Sequence, residues 1–149
     1  MAFTRQTVDT LLTNYKINIM STRAQVRFAT REEGVTFSSH PDKINAQFYV
    51  HSDGYPEGLG LDIAESLVMN NNPTLKWEIE ELQTLHGDLE YIYYIWQGYD
   101  KETWISIFQG FGNGDDFECI FVGLPNKLIT TYGSQLDESY YKLNTNDDG

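Results

Sequence analysis

"HSDGYPEGLGLDIAESLVMN", residues 51–70, holds the point where the chain changes its period. The segment that runs into it, "NAQFYVHS" (45–52), alternates: Ala46, Phe48 and Val50 oppose Gln47, Tyr49 and His51, as in a half-buried strand. From Glu57 onward Leu59, Ile63 and Leu67 recur every four residues with Asp62, Glu65 and Ser66 facing away, which predicts a helix over 57–70. Asn70, Asn71, Asn72 and Pro73 end it, because proline disfavours helical geometry in the residue before it and asparagine tolerates left-handed backbone. The stretch "HSDGYPEGLG" (51–60) is therefore a strand exit, a turn and a helix entry. Asp53-Gly54 supplies the turn, and Asp53 or Ser52 is expected to cap the first helical amides with its side chain. Pro56 pre-sets φ, and Gly58 and Gly60 allow a close approach to the sheet. His51 and Tyr55 are not required by this account.

Working outward, "AQVRFAT" (24–30) alternates as a strand, a turn at Glu33-Gly34 opens "VTFSS" (35–39), and with 45–52 these predict a three-stranded antiparallel meander. Beyond the helix, 75–85 fits either a helix or a strand. "LEYIYYIW" (89–96), "TWISIF" (103–108), "FECIFVG" (117–123) and "KLITTY" (127–132) are aromatic and β-branched runs separated by turn residues, and they predict four more antiparallel strands. The first of the four is apolar on both faces, which places it centrally and covered on each side. The expected fold is α+β: an antiparallel sheet of about six or seven strands with one main helix packed on a face. Residues 20–143 make one domain, 1–19 an extension with a helical stripe of Val8, Leu11, Leu12 and Tyr15, and 144–149 a frayed tail. That stripe is suited to bury against the domain or a second copy, so a homodimer is compatible with it.

The net charge of −12 is unevenly spread: residues 1–49 carry six Lys/Arg against four Asp/Glu, and residues 50–149 carry four against eighteen. Such a field repels phosphate backbones and attracts basic surfaces, so direct nucleic-acid binding is disfavoured. Glu78, Glu80, Glu81, Asp115, Asp116 and Glu118 are the candidate acidic binding surface, expected to form one contiguous patch. No run reaches the roughly 18 apolar residues of a membrane helix, and 1–20 lacks the apolar core of a signal peptide, so a cytoplasmic protein without membrane contact is expected. The single cysteine, Cys119, beside Asp116 and Glu118, reads as a structural thiol. No cofactor is expected. "GNGDD" (112–116) lacks the ligand spacing of a calcium loop, His40, His51 and His86 lie at no zinc spacing, and "GLGLDI" is no dinucleotide fingerprint. No nucleophile stands beside a base, so no catalytic residue is assigned. The tyrosines of 91–94 and Trp96 are better suited to core packing than to stacking bases, given the charge around them.

Ser21-Thr22-Arg23-Ala24 opening the first strand, "HSDGYPEGLG" before the helix and "EYIYYI" later together resemble small uncharacterised proteins of phage and bacterial genomes. The resemblance spans Met20 to about Ile107, with Met20 matching their initiator, and it implies a lineage without an activity. A phage lineage implies action in the host cytoplasm, and so a small acidic inhibitor of anti-CRISPR type. Three functions of different class follow. The first is a binding protein whose acidic surface occludes a basic host partner, such as a nucleic-acid-binding defence protein. The second is a small-ligand site, nucleotide-like, built from Arg23, Tyr49, His51, Asp53 and Tyr55. The third is an enzyme of unknown class at that same cluster.

Overall fold

The computed structural model describes residues 22–31, 43–110 and 116–133. They form one six-stranded mixed sheet in the order β3-β2-β1-β4-β5-β6, with helical segments on one face. The strands are β1 (Arg23–Thr30), β2 (Lys43–Val50), β3 (Glu78–Glu80), β4 (Leu89–Gln97), β5 (Thr103–Gly110) and β6 (Phe117–Gly123). A π-helical turn, Pro56–Gly60, leads into helix α1 (Leu61–Met69), and the short helix α2 (Pro125–Leu128) continues into a second π-helical turn, Ile129–Gly133. The α+β class and the single main helix stand as the sequence indicates.

The sheet departs from the expected antiparallel order at its centre. β1 pairs antiparallel with β2 but parallel with β4, Val26 opposite Tyr93 and Phe28 opposite Ile95. β1 is thus central, with a strand on each side, and Ala24, Gln25 and Val26 are buried on both of its faces. The chain leaves β2 over the helix, returns to pair β3 with β2, and enters β4 on the far side of β1. β4 is covered on both faces, with Tyr93 and Ile95 under the helices and Ile92, Tyr94 and Trp96 buried opposite. β4, β5 and β6 then run as an antiparallel meander. The stretches 1–19, 35–39 and 144–149 lie outside the described residues.

Residues 127–132 are helical and not a strand. Pro125 stands at the first helical position, where its fixed φ and missing N–H cost nothing, and Leu128, Ile129 and Tyr132 reach the core at helical spacing. Of the ambiguous 75–85, only Glu78–Glu80 is strand. In the main helix Leu59, Leu61, Ile63 and Ala64 are buried, but Leu67 is half exposed, so the apolar stripe outruns the sheet beneath it. Asn70 ends α1 in the left-handed region at φ 56°, and its amide donates to Ser66 O. Asp62 anchors the return loop by accepting from the amides of Thr74 and Leu75 and from the Thr74 hydroxyl at 2.7 Å. No helix among the described residues is long and apolar enough to cross a membrane.

Candidate functional site

The turn between β2 and the helix is built against the start of β1. Gly54 N–H donates to Thr22 O at 3.0 Å, and a Cβ on Gly54 would lie 2.8 Å from Ala24 Cβ and 2.9 Å from Thr22 O. From below, the buried Tyr93 hydroxyl donates to Gly54 O at 2.6 Å. The stretches 21–24, 51–60 and 90–95 thus meet at one point, through Thr22 and Ala24, Gly54, and Tyr93. Asp53 sits in the left-handed region at φ 59°. Its side chain does not cap the helix: the Leu59 amide is taken by the Asp53 main-chain oxygen at 2.8 Å, and Asp53 Oδ1 accepts from Tyr55 OH. With Pro56 donating nothing and Gly58 N–H bonded to Tyr55 O, the first turn is satisfied by backbone.

The opposite face of β1 and β2 carries a buried polar layer. Gln25 and Gln47, both fully buried, donate through Nε2 to the same oxygen, Glu80 Oε1, at 2.8 and 2.9 Å. The other oxygen, Glu80 Oε2, lies 2.7 Å from His86 Nε2. Both glutamine amides also reach Thr84 O, so the 81–88 loop is pinned over the strands through its own backbone. Arg27 donates to Gln25 Oε1 and to Tyr94 OH, and its guanidinium lies 5.5 Å from the Tyr94 ring centre. Burial raises the Tyr94 phenol above its ordinary value, against the opposing pull of Arg27. Among the described residues Arg27 Nε and Gln47 Oε1 are buried without a hydrogen-bond partner.

Towards the sheet edge the layer becomes aromatic and charged. The Tyr49 ring stacks on His86 at 3.8 Å and meets His51 edge-on at 4.5 Å. Its hydroxyl faces Asp88 at 3.3 Å, and Asp88 pairs with Arg23 at 3.0 Å. Burial, and then the Asp88 charge, raises the Tyr49 phenol. His51 Nε2 lies 2.9 Å from Glu78 Oε2, and this hydrogen bond holds the exposed Glu78 carboxyl below its ordinary value.

No family model, no curated protein and no solved structure matches the chain. The chemistry of the site itself must say what it does. Of the expected ligand cluster, Arg23, Tyr49 and His51 come together, joined by His86, Asp88 and Glu78, which sequence reasoning did not place there. Asp53 and Tyr55 pair with each other instead, on the turn that leads to the helix face. Every charged member of the cluster already has a partner of opposite type. Among the described residues no three His, Cys, Asp or Glu side chains are grouped to hold a metal ion.

The expected acidic patch is divided. Glu78, Glu80 and Glu81 lie at the β3 edge, while Asp116 and Glu118 lie at the β6 edge, five strand spacings or roughly 24 Å away. Asp115 lies outside the described residues. Glu80 turns inward, its side chain only 11% exposed, and serves the polar layer. The β3 edge has another property: Ile79 is 77% exposed, Leu82 45% and Leu85 88%. Ile79 is in register with Phe48 and so lies on the helix-side face, whereas Leu82 and Leu85 belong to the loop over the polar face, and the exposed carboxylates Glu78 and Glu81 flank them in the chain. Their only trace in the sequence is apolar residues in an acidic segment without steady period.

Proposed function

We propose that this chain is a binding protein whose β3 edge occupies a basic surface on a protein partner. The observation that carries the reading is the exposure of Ile79 on β3 and of Leu82 and Leu85 in the loop after it, with the exposed carboxylates Glu78 and Glu81 between and beside them in the chain, at a strand whose outer backbone has no neighbouring strand among those described. Exposed apolar residues interspersed with charge suit an interface, and an open strand edge offers main-chain hydrogen bonds to an incoming segment. The overall charge of −12 favours a basic partner and speeds its approach. If the chain is phage-encoded, as the resemblance implies, the partner is a host nucleic-acid-binding defence protein whose basic surface the edge occludes.

The test is calorimetric titration of purified basic nucleic-acid-binding host proteins across a salt series. Binding should weaken steeply with salt, and Leu85→Ser and Glu81→Lys should each weaken it several-fold without moving the melting temperature. Glu118→Lys, at the far edge, should leave affinity nearly unchanged. Salt-independent binding, or an equal loss from the two edges, overturns the reading.

A further inference from the structure

Where α1 ends, a cavity of about 420 Å³ opens between the helix, the return loop and strands β1 and β4. Of the residues that line it, Ile63 and Ile95 are buried, while Leu67, Leu75, Phe28 and Trp77 keep part of their apolar surface open. Asn70, Asn71 and Asn72 give the same lining a polar edge. The backbone of that edge is fixed: the amides of Asn70 and Asn71 both donate to Ser66 O, and Asp62 holds the amides of Thr74 and Leu75 just beyond. The asparagine side chains are left free, since none of the three amide groups is engaged in a hydrogen bond among the described residues. No charged side chain lines the cavity among the described residues, in a chain of net charge −12. The Phe28 and Trp77 rings are tilted 47° to each other and present no pair of parallel faces.

We propose that this cavity binds a neutral amphiphile with an unbranched alkyl chain, the chain in the cavity and an uncharged hydroxyl or amide head at the asparagines. The volume falls within the roughly 300–1,000 Å³ of small-ligand sites, and an apolar lining with a few uncommitted polar groups is the composition of such sites. A flat ring gains most between facing aromatic planes, which the tilted Phe28 and Trp77 do not form; a flexible chain follows an irregular apolar wall. An asparagine amide both donates and accepts, so the edge can answer a hydroxyl or an amide in either sense. A carboxylate head would find no cation in the lining and would meet the field of an acidic chain, and an ammonium head would lose water with no carboxylate to replace it. Because the backbone around the mouth is already held, the site stands formed before the ligand arrives, which lowers the ordering cost of binding. The cavity shares no residue with the β3 edge, so the two readings stand or fall separately.

Calorimetric titration of the full chain with hexan-1-ol, heptan-1-ol and octan-1-ol tests this. One molecule should bind per chain, with affinity rising about fourfold for each added methylene. Octanoate should bind at least about tenfold more weakly than octan-1-ol, its charge being uncompensated in the site. Leu67→Asp puts a carboxylate in the wall and should abolish binding, whereas Val68→Asp, the next residue on the helix and outside the cavity, should keep wild-type affinity. Asn71→Ala changes an exposed side chain, so it tests the head-group contact even if Leu67→Asp fails to fold, and it should weaken octan-1-ol by about threefold or more. Several molecules bound per chain, an affinity indifferent to chain length, octanoate bound as tightly as octan-1-ol, equal losses in Leu67→Asp and Val68→Asp, or wild-type affinity in Asn71→Ala each overturns the proposal.

Discussion

Tyr93 is fully buried and its hydroxyl donates to Gly54 O at 2.6 Å, so one side chain ties the sheet to the helix entry. Burial, with smaller contributions from Tyr91 and Glu57, pushes this phenol well above its ordinary value of 10.0. The folded state therefore keeps the proton where the unfolded chain would lose it. The stability this group confers is intact below about pH 10 and is lost as pH rises beyond that value. In Tyr93→Phe the Gly54 carbonyl loses its donor, a cost of about 1–2 kcal/mol at neutral pH. The variant should also lose part of the alkaline sensitivity, which denaturant melts at pH 8 and above pH 10 will show. Its neighbour is as constrained: Gly54→Ala should cost about 1–3 kcal/mol, since the new methyl meets Ala24 Cβ and the Thr22 carbonyl. Gly87→Ala is the matched control, because a Cβ there has no atom within 4 Å, and its melt should stay near wild type.

At the scale of the element, the 81–88 loop depends on Glu80. Removing that carboxylate in Glu80→Ala takes the shorter acceptor from the buried amides of Gln25 and Gln47, leaving them the loop carbonyls, and takes the partner of the His86 imidazole, a cost of about 1–3 kcal/mol. Hydrogen exchange should quicken in 81–88 before it does in β1; uniform protection would mean that the loop is held some other way. No pattern in the sequence announces this arrangement, because Gln25, Gln47 and Glu80 come together only through strand pairing. Elements with a steady signal were legible: β1, β2 and the main helix follow their alternation or their fourfold spacing, and β4, β5 and β6 their aromatic and β-branched runs. "KLITTY" misled, since its β-branched residues favour a strand while Pro125 ahead of it and the core contacts of Leu128 and Tyr132 impose a helix. The candidate site was half legible. Arg23, Tyr49 and His51 share a strand face or neighbouring ends, whereas His86 and Asp88 arrive from a loop without period. The carboxylates could be counted but not placed, because a sequence does not say which strands become the edges.

At the scale of the whole molecule, the two edges of the sheet differ in what they offer. The β3 edge carries exposed apolar residues with its charges, and among the residues 116–133 beside the β6 edge none is a large exposed apolar one. The parallel pairing of β1 with β4 has a consequence in time. β1 is among the first strands made, yet it lies at the sheet's centre and ends at Thr30, while its partner β4 ends at Gln97. At translation speeds of about 5–20 residues per second, the ribosome needs on the order of several seconds to deliver the partner after the strand itself. During that interval β1 and β2 have only each other, the main helix and the three residues of β3, and so small a sheet is marginal in water. The β4–β6 meander, by contrast, closes through short-range contacts as soon as it emerges. The half of the sheet made last is thus the half whose contacts are most local, and the early strands are delivered seconds before their central neighbour.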